Sequence, residues 1–283
     1  MPELPEVHTT VEGLKRVIIG KMIKSIWSDF HLNTAHGKKE TIKNKKYLDY
    51  FKQIVVGAKI ISVERKGKNI LINLNNKHTI LIHMKMTGHL MYGASDKFVH
   101  FIIKLEKAKD LVLSDMRKFA SVSIFETNKL DQHETLAKLG PDPLDPSFNA
   151  KNLFEIIHKK KKMPIKSALL DQKAIAGIGN IYSDEILWQT NIHHLSPADK
   201  IPEKKFGEIF KVMKEILKFS IKHGGDSKSD YRNAFGEKGG FQNFHKVYGK
   251  KGQKCSKKNC LGIIERIVVK GRSAHFCPKH QTK

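Results

Sequence analysis

At 283 residues the chain is long enough for about two domains, each with a core of its own. Hydrophobic residues make up 40% of it without any low-complexity tract, which excludes a disordered or fibrous chain, and 52 Lys+Arg against 28 Asp+Glu leave a formal net charge of +24. So positive a surface points to a polyanionic partner, nucleic acid first, while the lack of any apolar run near the ~18 residues of a membrane span, or of a signal-peptide layout, predicts a soluble, intracellular protein.

The chain opens Met1-Pro2-Glu3-Leu4-Pro5-Glu6. An initiator Met before a small residue is commonly removed, which would leave Pro2 with a free secondary amine, a nucleophile with an ordinary pKa near ~8. Attack on an aldehyde carbon gives an iminium that carries a fixed positive charge. Glu3 and Glu6 lie close enough in sequence to handle protons. Pro and Glu are also common in frayed chain ends, so these residues alone do not decide between chemistry and a tail.

Pro5 suits the first position of a helix, and Glu6 complements the dipole of its first turn. Val7, Val11, Leu14 and Ile18 recur at helical spacing, which predicts a helix with one buried face, ended near Gly20. From residue 22 to 126 the pattern is mostly β. Short apolar runs at Ile60–Val63, Asn69–Leu74, Thr79–Met84, Phe98–Leu105, Leu111–Leu113 and Ser121–Phe125 are separated by turn residues, as in a sandwich or barrel. Lys38 to Lys46 is expected to be a solvated, charge-rich loop. Gly140-Pro141-Asp142-Pro143-Leu144-Asp145-Pro146 can continue neither strand nor helix and marks a boundary. Helical patterns follow around Leu153–Ile157, Ala168–Leu170, Ile181–Trp188 and Phe206–Leu217, and Gly224-Gly225 stops the last of them. A glycine-rich loop, Arg232 to Gly240, precedes a C-terminal hairpin with strands near Gly262–Ile267 and His275–Cys277.

All three cysteines fall in Cys255-x4-Cys260-x16-Cys277-x2-His280, two close pairs separated by a hairpin-length insert. This is zinc-ribbon spacing, and four protein ligands make a closed, structural Zn²⁺ site; the alternative is three unconnected cysteines. Gly177-Ile178-Gly179-Asn180 before a helix is either a phosphate cradle or a plain connecting turn. The lysine run Lys159 to Lys162 is either a solvated face or a track for a nucleic-acid backbone. Met86, Arg117 and Phe119 offer an apolar wedge, a guanidinium and a ring, the parts needed to fill the hole left by an extruded base. Individually each is more often core or surface.

Together these pieces resemble the Fpg/Nei family of DNA glycosylases, in its formamidopyrimidine-DNA glycosylase branch. The resemblance runs over nearly the whole chain. It rests on Pro2 to Val7, Lys66-Gly67-Lys68, His83 to Gly88, Asp115 to Phe119, Ile165-Lys166, Leu170-Asp171-Gln172, Gly177 to Tyr182, Val247-Tyr248-Gly249 and Gly271-Arg272-Ser273 through Pro278. Departures are His280 where a Cys is usual, the x4 spacing of the first ligand pair, Lys118 for a second Arg, Ala120 for a Gly, and Asp96-Lys97-Phe98 where a His-x-His often stands.

The resemblance implies an α+β multidomain fold: an N-terminal β-sandwich with a leading helix (1–135), a linker (136–147), a helix–two-turn–helix module with a lesion loop (148–244) and a zinc β-hairpin (245–283). It implies double-stranded DNA with oxidised bases as partner, bound in the cleft between domains, and one structural zinc. The implied reaction is excision of 8-oxoguanine and formamidopyrimidines through a Pro2 Schiff base, followed by β,δ-elimination. The alternatives are an enzyme for oxidised pyrimidines and a non-catalytic binder of damaged DNA. Pro2 would attack C1′, with Glu3 as its matching acid and Glu6 near the lesion pocket, while Lys68 and Arg272 grip phosphate. Met86, Arg117 and Phe119 would fill the gap; Lys162, Lys166, Asn180, Glu185 and Arg232 would lie along the DNA. A monomer in the cytoplasm, associated with the nucleoid, is expected.

Overall fold

The computed structural model describes residues 1–31 and 40–282, so Lys38 and Lys39 of the expected charged loop lie outside the described residues. The chain packs as two compact units, Met1–Ala137 with Ile221–Gln242, and Lys138–Ser220 with Asn243–Lys283. The sequence-based division ran one helical module from 148 to 244. Instead, residues 221–242 pack with the first unit, because Ala234 is fully buried in its core.

The first unit begins with helix α1 (Leu4–Ile18). Glu3 and Glu6 cap it reciprocally, so the orphan N–H groups of the first turn are satisfied. Leu4, Val7, Val11, Leu14 and Ile18 are at most 2% exposed, and burying each contributes about 1.5–3 kcal/mol. The helix stops where Gly20 takes a φ of +83°.

Strand β1 (Ile23–Ser28) and helix α2 (Lys45–Val55) follow, then β2 (Ile60–Lys66), β3 (Asn69–Leu74), β4 (His78–His83), β5 (Gly88–Tyr92), β6 (Val99–Leu105), β7 (Leu111–Asp115) and β8 (Ser121–Glu126). They form two four-stranded antiparallel sheets, ordered β1-β6-β7-β5 and β2-β3-β4-β8. Inward-facing Ile70, Ile72, Ile80, Ile82, Phe101, Ile103 and Leu113 join the buried face of α1 in one core. The α2 helix replaces the solvated loop expected at residues 45–46. Asn44 caps it by accepting from the Tyr47 N–H at 3.1 Å, and Leu48, Phe51 and Val55 anchor it.

The second unit contains α3 (Ala150–His158), α4 (Ile165–Leu170), α5 (Asn180–Gln189) and most of α6 (Glu203–Lys222), then the hairpin β9 (Glu265–Val269) and β10 (Arg272–Phe276). The turn between α4 and α5 is wound around Gln172. Its amide donates to the carbonyls of Leu170 (3.0 Å) and Ile178 (2.8 Å) and accepts from the Gly177 N–H (2.9 Å). Among the described residues no helix is long and apolar enough to cross a membrane.

Candidate active site

The first unit buries the start of the chain. Pro2, Glu3 and Glu6 are all buried, and Glu6 Oε2 accepts the Glu3 N–H at 2.7 Å. The chain carries Met1, so the nitrogen of Pro2 is an amide here and the terminal amine is that of Met1. Burial pushes this amine below its ordinary value against the opposing pull of Glu3 and Glu6, with Lys68 adding to the depression and Asp226 opposing it. The four charged side chains therefore converge electrostatically on the N-terminus. Lys68 follows a turn made at Gly67 (φ +59°) and is only 5% exposed. His83 was not singled out from sequence. Burial, then the charges of Lys85 and Lys68, push its imidazole down to about 3, so it stays neutral at physiological pH.

Met86 lies between β4 and β5; Arg117 and Phe119 lie between β7 and β8. The structure ties these two loops together through Asp115, a fully buried carboxylate that sequence reasoning left without a role. Its Oδ1 accepts from the Thr87 hydroxyl (2.5 Å) and the Arg117 N–H (3.3 Å), and Oδ2 accepts from the Ala120 N–H (2.6 Å). Gly88 permits the tight return after Met86, since a Cβ there would sit 2.4 Å from the Met84 carbonyl oxygen. The Arg117 guanidinium lies over the Phe119 ring at 4.3 Å from its centroid. Met86 and Phe119 are 37% and 48% exposed, an apolar pair held in water by a buried acid.

Arg232 belongs to the first unit. Its guanidinium donates to the carbonyls of Asp230 (3.2 Å) and Tyr231 (2.9 Å), so it is folded back on its own loop. The second unit holds the remaining candidates. Asn180 opens α5 and donates to Ser273 Oγ at 3.2 Å, which ties it to the strand carrying Arg272. Its buried Oδ1 has no partner. Arg272 is exposed just after Gly271 (φ +77°), and Lys162 is exposed with a φ of +56°.

Two residues expected along the DNA are buried in the second unit. Lys166 is 0% exposed and its ammonium is paired with Asp184, itself 0% exposed. Glu185 is engaged by backbone. Its carboxylate is 3% exposed and accepts the N–H groups of Lys246 (2.9 Å), Val247 (3.0 Å) and Tyr248 (2.8 Å). Both residues hold the second unit together.

Asp184 is the centre of that arrangement. Besides Lys166 it accepts from His194 Nε2 (2.8 Å) and from the backbone N–H of His275 (2.9 Å), and its Oδ2 lies 3.0 Å from His275 Nδ1. One carboxylate thus joins α4, α5, the segment after α5 and β10. The α5 helix is buried nearly all round, so no hydrophobic period betrays an acid inside it. Burial pushes the Asp184 carboxyl up, but the bonds from His194 and His275 and the Lys166 charge outweigh it, and the group is held well below the usual carboxylate range. A depressed carboxylate contributes stability that is present above its unfolded value of about 4 and lost as pH falls through the folded value. Asp184→Ala leaves the Lys166 ammonium buried without its partner and is expected to cost about 3–5 kcal/mol. Thermal melts from pH 7 down to pH 3 check this: the wild type loses stability as the pH falls below about 4, and the variant starts lower and has a flatter acid limb.

Cys255, Cys260, Cys277 and His280 bring one ligand atom each to within 4.8 Å of all the others. Cys255 Sγ is 3.4 Å from His280 Nε2, and Cys260 Sγ is 3.6 Å from Cys277 Sγ. A tetrahedral ion with arms of about 2.0–2.3 Å sets ligand separations of roughly 3.3–3.8 Å, which these two pairs match, and the other pairs lie within 4.8 Å.

A sequence profile described as the formamidopyrimidine-DNA glycosylase N-terminal domain matches residues 1–122, and one described as the formamidopyrimidine-DNA glycosylase H2TH domain matches residues 139–232. The chain is 37% identical over 287 residues to the formamidopyrimidine-DNA glycosylase of Streptococcus pneumoniae (strain ATCC BAA-255 / R6), with 100% of both chains covered. It is similar to the Lactococcus lactis Fpg solved with DNA containing an abasic site, with a TM-score of 0.87, 32% identity, and coverage of 99% of this chain and 100% of that one. The wild-type Lactococcus lactis Fpg solved with DNA containing an oxidised pyrimidine matches at a TM-score of 0.86 and 31% identity, with 100% of both chains covered.

Proposed function

This chain belongs to the formamidopyrimidine-DNA glycosylase family and is a DNA glycosylase acting on damaged DNA, and we propose that it excises oxidised purines through the amine of Pro2 and then cuts the strand. The observation that carries this reading is the buried start of the chain, where Pro2, Glu3, Glu6 and Lys68 are all buried and Glu6 holds the Glu3 N–H. Once Met1 is removed, the secondary amine of Pro2 occupies that corner. The N–C1′ bond forms as the C1′–N bond to the base breaks, and the base leaves with the electron pair. Ring opening places a proton on O4′, the role suited to Glu3. The iminium then acidifies C2′, and loss of that proton expels the 3′ phosphate by β-elimination; loss of a second proton, from C4′, then expels the 5′ phosphate by δ-elimination.

Met86, Arg117 and Phe119, preset by Asp115, suit the space left by an extruded base. Lys68, Asn180 and Arg272 suit phosphates, which position DNA without reading its sequence. Zinc is the ion that a Cys3His set of this geometry takes, and with four protein ligands its part is structural. Leu4, Met86 and the loop from Tyr231 to Gln242 favour purine lesions. The Lactococcus lactis relative bound to an oxidised pyrimidine favours a second reading, in which pyrimidine lesions are also substrates.

Borohydride trapping tests the proposal. A duplex with one 8-oxoguanine opposite cytosine is expected to yield a covalent protein–DNA adduct, and one with thymine glycol a weaker yield. Absence of any adduct with either duplex overturns the Schiff-base reading. A larger yield with thymine glycol overturns the purine preference.

A further inference from the structure

Met116, Arg117 and Phe119 are exposed, and Lys118 among them is half-buried. Lys118 takes a φ of +53°, in the left-handed region. Its N–H donates to the Asp115 carbonyl at 3.0 Å, and its own carbonyl accepts from Lys43 Nζ at 2.6 Å. Its ammonium turns to Asp29 and lies 3.3 Å from Oδ2. A lysine set between a guanidinium and a ring that suit an extruded base thus spends its charge on a carboxylate of the same unit.

Asp29 is itself fixed in place. It follows β1, its N–H donates to the His100 carbonyl at 3.3 Å, and both of its carboxylate oxygens lie within 3.1 Å of His100 Nδ1. The next residue, Phe30, is fully buried, with its ring 5.7 Å from the His100 imidazole. The pairs Lys45–Asp49 and Lys205–Glu208 join neighbours on one turn of a helix, which sequence spacing alone brings together. Lys118 and Asp29 stand 89 positions apart, so the tertiary fold builds their pair.

We propose that Asp29 is a counter-charge that limits how tightly the segment from Met116 to Phe119 grips the DNA backbone, by engaging the Lys118 ammonium. The proposal rests on the reading that Met86, Arg117 and Phe119 enter the duplex. A duplex carries one negative charge per about 1.7 Å of its axis, so a lysine between two inserting side chains meets phosphate unless another anion engages it. Asp29 is that anion, and its own charge also opposes an approaching phosphate. A chain of formal net charge +24 does not lack attraction for DNA. One more phosphate contact would prolong its stay on intact duplex without improving discrimination, because phosphates are the same at every site.

The test titrates the full chain, over a series of salt concentrations, against an intact duplex and the same duplex carrying one tetrahydrofuran abasic analogue. Asp29→Asn keeps an acceptor for His100 and removes the charge. It is expected to bind both duplexes about fivefold more tightly at low salt, with a plot of log affinity against log salt steeper by about 0.9 and an unchanged ratio between the duplexes. Lys118→Gln is expected to change affinity little in the wild-type background and to remove the whole gain in the Asp29→Asn background. Thermal melts establish that each variant is folded. Binding by Asp29→Asn that is no tighter than wild type, a ratio that falls with it, or an equal effect of Lys118→Gln in both backgrounds overturns the proposal; the fallen ratio would mean that Asp29 shapes the wedge and does not screen it. A wild type that binds the abasic analogue no better than the intact duplex overturns the wedge reading, and this proposal with it.

Discussion

Pro2→Gly is expected to lower single-turnover base release by on the order of 10²-fold, and retention of Met1 to abolish it, by on the order of 10⁴-fold or more. Glycine keeps an amine but a primary one, whose imine must gain a proton before it pulls electrons as an iminium does. It also loses the fixed φ that sets the approach of residue 2 to the capped helix. With Met1 attached, the nitrogen is an amide whose lone pair is delocalised, and no covalent step is open to it. Glu3, Lys68 and the second unit are untouched in both cases, so damaged DNA should still bind. Intact-mass measurement of the N-terminus, paired with borohydride trapping and a binding titration, reads all three quantities. A Met1-retaining sample that traps DNA as well as the processed one sinks the mechanism.

Removing the metal is expected to have the largest effect on stability. The hairpin β9–β10 has five-residue strands and buries little of its own, chiefly Val269, Ala274 and Phe276. Binding an ion at such a Cys3His set contributes on the order of 10 kcal/mol to the folded form at neutral pH. Chelation, or Cys260→Ser, should therefore disorder the hairpin and release the turn that carries Arg272. Elemental analysis is expected to find one zinc per chain. After chelation, loss of hairpin amide protection in hydrogen exchange should accompany loss of DNA binding. Retention of full affinity in a demonstrably metal-free protein would separate the ion from DNA recognition.

Much of this was legible because the relevant signals are local. The α1 face was written at helical spacing, and the ligand pairs of the metal cluster stand close in sequence. The strands at Asn69–Leu74 and Thr79–Ile82 are compact runs rich in isoleucine and leucine. Other elements were hidden by composition. Helix α2 sits in a lysine-rich stretch whose charge masked Leu48, Phe51 and Val55. Strand β1 alternates irregularly, and β5 begins with Gly88, so neither resembles a strand in isolation. The burial of Lys166 and Glu185 was hidden for a different reason. A charge that is buried against a partner far along the chain looks identical in sequence to one that meets a ligand. Only the pairing of Lys166 with Asp184, and the three N–H groups around Glu185, separates the two cases. Asp115 was quoted within a motif, but its link between the two loops runs through Thr87, 28 positions away.

Asp115 has a consequence for how an encounter with a duplex would proceed. Side chains at the tips of two separate loops would ordinarily have to be frozen together at the moment of insertion, each losing conformational freedom of its own. Here the Thr87 hydroxyl and the Arg117 and Ala120 N–H groups share one buried carboxylate, and the Arg117–Phe119 stack is already formed. Much of the loss of freedom is incurred once, when the chain folds, and not again at each base pair probed. A preordered wedge of this kind suits brief, repeated insertion along a long polymer, where the great majority of trials must end in withdrawal.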